Sequence, residues 1–82
     1  MNKTIFAQLG DCFCRAYDIQ KDTLIKIYRA PDQFTLDYWE NVWAFEMNST
    51  IGDITTVIAD DMYGIATNEW YYPWTCVKVV HD

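Results

Sequence analysis

The chain has 82 residues and a net charge of −6, and 51% of it is hydrophobic, with only three Gly and two Pro. That is a globular composition of single-domain size, too hydrophobic for a disordered chain and too short for two cores. Four Trp, six Tyr and four Phe supply large buried areas that offset the small size of such a core.

The charge is unevenly distributed. Residues 1–29 carry five basic and three acidic side chains, whereas residues 30–82 carry nine acidic ones against Lys78 alone. Between Asp32 and Glu69 there are eight carboxylates and no Lys or Arg. Phosphate backbones repel such a surface and basic protein surfaces attract it, so direct nucleic-acid binding is disfavoured. No apolar run reaches the roughly 18–20 residues of a membrane span. Ile5-Phe6-Ala7 is too short for a signal-peptide apolar region, so a cytosolic setting is expected.

Residues 4–18 fit two patterns. Ile5, Phe6, Leu9, Cys12, Phe13, Ala16 and Tyr17 share one helical face. Against a helix stand Gly10, which costs about 1 kcal/mol in a helix interior, and the Cys-Phe-Cys run. The strand reading breaks at Gly10-Asp11 and resumes over Cys12–Tyr17, with Phe13, Arg15 and Tyr17 on one face. The strand is preferred.

Gln20–Thr23 reads as a turn, and Leu24–Arg29 as a strand of β-formers that Ala30-Pro31-Asp32 ends. The acidic stretch of about 30–49 has room for one short helix. Thr35 would cap it and Leu36, Trp39, Val42, Trp43 and Met47 would form its inner stripe, leaving Asp37 and Glu40 to water. A strand over Val42–Met47 competes. Ile54–Ile58 is a β-branched strand, Asp60-Asp61 a turn, Met62–Thr67 a strand and Asn68-Glu69 a turn. Trp70-Tyr71-Tyr72-Pro73 leads into a last strand over Thr75–Val80. Neither a repeat nor a linker divides residues 1–82, so one domain is expected.

Residues 51–80, IGDITTVIADDMYGIATNEWYYPWTCVKVV, resemble the closing three strands of the small Src-homology-three-like barrels common among short phage proteins. Leu9-Gly10-Asp11 followed by Cys12–Asp18 is similar to their opening strand. The resemblance implies a mainly β fold, with α+β as the alternative: a small antiparallel barrel with residues 30–49 as an acidic insertion.

Catalytic chemistry finds little footing. His81 is the only histidine. There is no Ser-His-Asp set, no phosphate-binding Gly loop and no metal array. Cys12, Cys14, Cys76 and His81 could in principle ligate zinc, but Cys-x-Cys is unusual for a zinc knuckle. Three separate reduced thiols are the reading adopted, with no metal, no cofactor and no enzymatic activity. Two surfaces remain for binding. One is carboxylate-rich, with Asp37, Glu40, Asp60, Asp61 and Glu69. The other is the aromatic segment, with Trp70, Tyr72 and Trp74, since aromatic rings anchor many protein interfaces. In size and charge the chain is similar to the anti-CRISPR and anti-restriction class of phage inhibitors. That resemblance implies a cytoplasmic inhibitor or adaptor docking on a basic protein surface, without direct nucleic-acid or membrane contact, as a monomer or dimer. The alternative is a peptide-recognition module built on Trp70–Trp74.

Overall fold

The computed structural model describes residues 3–81. Helix α1 (Lys3–Ala16) comes first, followed by β1 (Leu24–Ile27) and a short helix α2 (Gln33–Tyr38). A 3-10 helix over Phe45–Thr50 leads to β2 (Ile54–Thr56), β3 (Ala59–Asp60), β4 (Gly64–Ala66) and β5 (Tyr71–Pro73). A second 3-10 turn, Trp74–Cys76, precedes β6 (Val77–Val79).

The strands form two antiparallel three-stranded sheets, ordered β2-β1-β6 and β3-β4-β5. They are joined by chain continuity. Residues 54–60 leave one sheet at Val57, whose N–H donates to Thr23 O, and enter the other at Ile58, whose N–H donates to Ala66 O. Residues 71–79 make the same passage in reverse through the 3-10 turn. Ile25, Ile27, Val57, Ile65, Tyr72 and Val77 fill the space enclosed by the two bends. Among the described residues the sheets do not close into a barrel. The architecture is α+β rather than the mainly β barrel expected from the sequence. No described helix is long and apolar enough to cross a membrane.

Residues 3–16 correct the preferred strand reading. Phe6, Ala7, Gly10 and Cys14 are the buried positions, a helical spacing, and Phe13 is half-buried beside them. The helix stops at a Schellman turn. Asp18 takes a left-handed φ of 52°, Asp18 N donates to Arg15 O and Ile19 N to Cys14 O, and Ile19 is buried beyond it. Gly10, the residue that argued against a helix, is what lets this helix dock. A Cβ there would run into the Met62 carbonyl oxygen and come 2.7 Å from Trp74 Cδ1.

The short helix in the acidic stretch exists, with different boundaries. Asp32, not Thr35, is its N-cap, accepting from Thr35 N at 2.9 Å. Thr35 is fully buried, and its hydroxyl hydrogen-bonds that of Thr75, tying α2 to the last 3-10 turn. The helix ends at Tyr38, so the inner stripe projected past it fails in part. Trp39 and Met47 are buried and Trp43 is half-buried, but Leu36 and Val42 face solvent.

Gly10→Ala is expected to destabilise the domain by about 2 kcal/mol. The helix-propensity gain of about 1 kcal/mol is outweighed by forcing α1 off Met62 and Trp74, since overpacking costs about 1–3 kcal/mol. Urea denaturation of the two proteins measures the difference, and an unchanged or raised midpoint would contradict this seating of α1.

Candidate functional site

All eight carboxylates between Asp32 and Glu69 are exposed, and the fold distributes them over several elements. Asp37 sits on α2, where it accepts from Gln33 Nε2 at 2.8 Å. Glu40 follows that helix, and Glu46 lies on the first 3-10 helix. Asp53 and Glu69 line a groove of about 190 Å³ with Thr50, Thr55 and Tyr72. Asp60 ends β3 and Asp61 begins the turn to β4. There they meet Asp11 of α1 in a hollow of about 260 Å³, floored by Cys14 and Met62.

Among the described residues two ion pairs bear on these carboxylates and their neighbours, and neither removes the acidic character of the surface. Arg15 bonds Asp11 one turn away on α1, and Arg29 lies 3.5 Å from Asp32. Both pairs are exposed, where such contacts are weak and screened by salt.

Asp61 has a structural task beside its charge. Its Oδ1 accepts from Tyr63 N at 2.8 Å, Gly64 N at 2.9 Å and Tyr71 Oη at 2.6 Å, which fixes the β3–β4 turn. Partial burial pushes this carboxyl up, but the three hydrogen bonds outweigh it and hold it below the ordinary 3.8. Asp32 is likewise held low, chiefly by the Thr35 N–H it caps. Tyr71 titrates above its usual range because it is partly buried and donates to the Asp61 carboxylate.

The aromatic segment is placed differently from the acidic one. Tyr72 is 2% exposed and donates from Oη to Thr50 Oγ1 at 2.7 Å. Trp74 is half-buried under α1, with ring centroids 5.3 Å from Phe6 and 5.5 Å from Phe13. Its indole N–H is buried without a hydrogen-bond partner. Trp70 and Tyr71 are half-buried, and Tyr71 stacks on Trp39 at 5.9 Å. These rings chiefly complete the core.

The cysteines part company as well. Two residues apart on a helix point about 200° apart. Cys12 therefore faces solvent while Cys14 enters the core, and Cys76 is buried in the last 3-10 turn. Burial pushes both buried thiols up to about 11, Cys14 with help from the neighbouring Asp60 carboxylate. Among the described residues, no group of three or more His, Cys, Asp or Glu is arranged to hold a metal ion.

Two surfaces escaped the sequence reading. Val42 and Phe45 are 83% and 84% exposed within the acidic stretch. Lys26 and Lys78 stand directly opposite each other on β1 and β6. An exposed apolar pair can be found only once the end of α2 is known, and a cross-strand pair only once the register is.

Two outcomes test this geometry. At mildly alkaline pH an alkylating reagent should modify Cys12 rapidly and Cys14 and Cys76 only on unfolding, because the thiolate is the reactive form. Equal rates at all three would contradict it. Tyr71→Phe should lower stability by about 1 kcal/mol at neutral pH. Asp61 and Asp32 have depressed folded-state pKa values, so their contribution is present above 3.8 and is lost as pH falls below it towards the folded values. The Tyr71→Phe deficit should therefore shrink in acid, and a deficit constant with pH would show that Asp61 is not its origin. Comparison with protein-family models, curated proteins and solved structures finds no match to the chain.

Proposed function

We propose that this chain is a small protein-binding inhibitor or adaptor of the phage type. It docks its carboxylate surface on the basic patch of a nuclease or another nucleic-acid-handling protein. In this reading the two bent sheets are an opened Src-homology-type barrel, which carries the acidic residues on its turns and on the insertion between β1 and β2. The observation that supports it best is that eight successive charged residues, Asp32 to Glu69, are all acidic and all exposed. Asp32 and Asp61 also hold the fold, but a single-sign field of that extent is more than stability needs and favours an oppositely charged partner. The basic groove of a nuclease, shaped to hold phosphates, is the complementary surface. Asp37, Glu40, Asp60, Asp61 and Glu69 would carry the contact in the cytoplasm of the host.

The mode of recognition is electrostatic steering followed by local contact, so it depends on ionic strength. Screening shortens from about 10 Å at 0.1 M salt to about 3 Å at 1 M. The test is capture by the immobilised chain from host lysate, with a charge-neutral variant alongside. That variant carries Asp37→Asn, Asp60→Asn, Asp61→Asn and Glu69→Gln. Asn at 61 keeps an amide oxygen for the three donors that hold the turn but loses the charge that strengthens those bonds, so the fold should survive with a modestly lowered urea midpoint. The expected result is a nucleic-acid-handling protein retained at 0.1 M salt, released at 1 M and absent from the variant. A bound set indifferent to salt and to the four substitutions would reject the reading.

A further inference from the structure

Two uncovered apolar patches of opposite charge stand on this chain. The first is the outer face of the β2-β1-β6 sheet. Ile25 and Ile27 of β1 enter the core, so Leu24, Lys26 and Tyr28 turn outward, and Leu24 and Tyr28 are exposed. Across the strands Lys26 has Ile54, also exposed, on one side and Lys78 on the other. Lys78 Nζ lies 5.6 Å from the Tyr28 ring centroid and the Arg29 guanidinium carbon 5.3 Å from it. Like charges directly opposite in a sheet repel. Neither lysine has a carboxylate partner among the described residues. In a chain with twice as many acids as bases, these two lysines share one face and Arg29, paired with Asp32, stands at its edge.

The second patch is the projection between α2 and the first 3-10 helix. Val42 and Phe45 stand almost fully exposed, with the exposed Glu46 beside Phe45. Its neighbours hold it in place. Trp43 Nε1 donates to Asn48 Oδ1 at 2.9 Å, Ala44 N to Met47 Sδ at 3.2 Å, and Met47 is buried beneath. Such an arrangement braces the backbone that carries Phe45, and preorganisation lowers the entropy lost on association.

We infer that two copies of the chain pair about a two-fold axis, each seating its Val42–Glu46 projection on the Leu24, Lys26, Tyr28 and Lys78 face of the other. The complementary surface for each patch is thus on the same molecule: apolar side chains for Val42 and Phe45, ammonium groups for Glu46. A two-fold arrangement is closed, so both patches of both copies are covered, whereas a head-to-tail chain leaves one of each open at its ends. A foreign partner with a basic-rimmed pocket would cover Phe45 and leave the opposed lysines as they are. The net charge of −6 on each copy repels at long range. At physiological salt the screening length of about 8 Å weakens that repulsion more than it weakens pairs in contact. The inference does not rest on the docking role proposed above: Asp60, Asp61 and Glu69 belong to the other sheet and its turns, and only Asp37 and Glu40 adjoin the projection.

The test is sedimentation velocity on the whole chain over a wide concentration range, with a reductant so that Cys12 forms no intermolecular disulfide. A monomer–dimer equilibrium is expected. Phe45→Ala, Lys78→Glu and Glu46→Lys should each weaken it at least tenfold. All three positions are exposed, so the urea midpoint of the dilute protein should not fall, and Lys78→Glu, which sets an acid opposite Lys26, should raise it slightly. Mixing the Lys78→Glu and Glu46→Lys proteins should restore the dimer, because in the mixed pair each projection again meets a face of opposite charge. Far-UV circular dichroism confirms the fold, and a second projection variant, Val42→Ser, serves if Phe45→Ala does not fold. A chain that stays monomeric throughout, a dimer indifferent to these substitutions, or a mixture no tighter than its components would overturn the inference.

Discussion

The seating of α1 on the sheets at Gly10 is the constraint from which most of the structure follows. Only a residue without a side chain lets the helix come against the Met62 carbonyl and the Trp74 ring. That approach puts Phe6, with no exposed surface, between Phe34 and Trp74 and sets Phe13 on the same indole. Trp74 in turn opens the 3-10 turn that carries the chain from β5 into β6, and Thr75 in that turn holds α2 through Thr35 and Arg29 through its carbonyl. Helix, insertion and both sheets therefore meet at one turn. A domain this small has no second core to fall back on.

One consequence concerns where binding can take place. The ring-rich segment 70–74 looks like an interface in the sequence because its aromatics cannot all point inward from one flat sheet. They need not, because α1 and the insertion cover what the sheet leaves open. Tyr71 stacks on Trp39, Tyr72 reaches Thr50 and meets Trp43, and Trp74 lies under α1. The surface left for a partner is made of charge and of a few apolar side chains on turns. Even the charge is partly structural, since Asp32 caps α2 and Asp61 holds the β3–β4 turn.

Most strand positions were legible in the sequence because they depend on local pattern, although the expected strand Ile54–Ile58 breaks at Val57 between two sheets and the expected strand Thr75–Val80 begins as a 3-10 turn. Ile25 and Ile27 alternate with outward residues, and turn chemistry at Asp61 and Asn68-Glu69 separates the later strands. Residues 3–16 were not legible because propensity there opposes the result: Gly10 and Cys-Phe-Cys weaken a helix that packing then stabilises. Its stop was hidden too, since Asp18 takes the left-handed position usually signalled by Gly. In the insertion the error was one of phase. A 3.6-residue period carried past Tyr38 points Val42 inward, but the helix ends there and the extended chain resets the orientation. The exposed carboxylates could be read because no base is interspersed among them. The burial of Trp74 could not, because it depends on a helix more than fifty residues away in sequence, nor could that of Tyr72, which depends on Trp43 and Thr50 of the insertion.

The opposed lysines show how such a surface persists in a marginal domain. A like-charge cross-strand pair costs up to about 1 kcal/mol. The contact of Lys78 with Tyr28 returns about 0.5–1 kcal/mol at an exposed site. The two nearly cancel, so the fold tolerates the pair without needing it. A Thr or Glu opposite Lys26 would serve stability better, as would a polar residue in place of Phe45, which touches solvent over most of its surface. Both features are therefore choices that the isolated domain gains nothing from. They are also of opposite charge and similar apolar character, and that match gives them a common explanation in contact between surfaces rather than in folding.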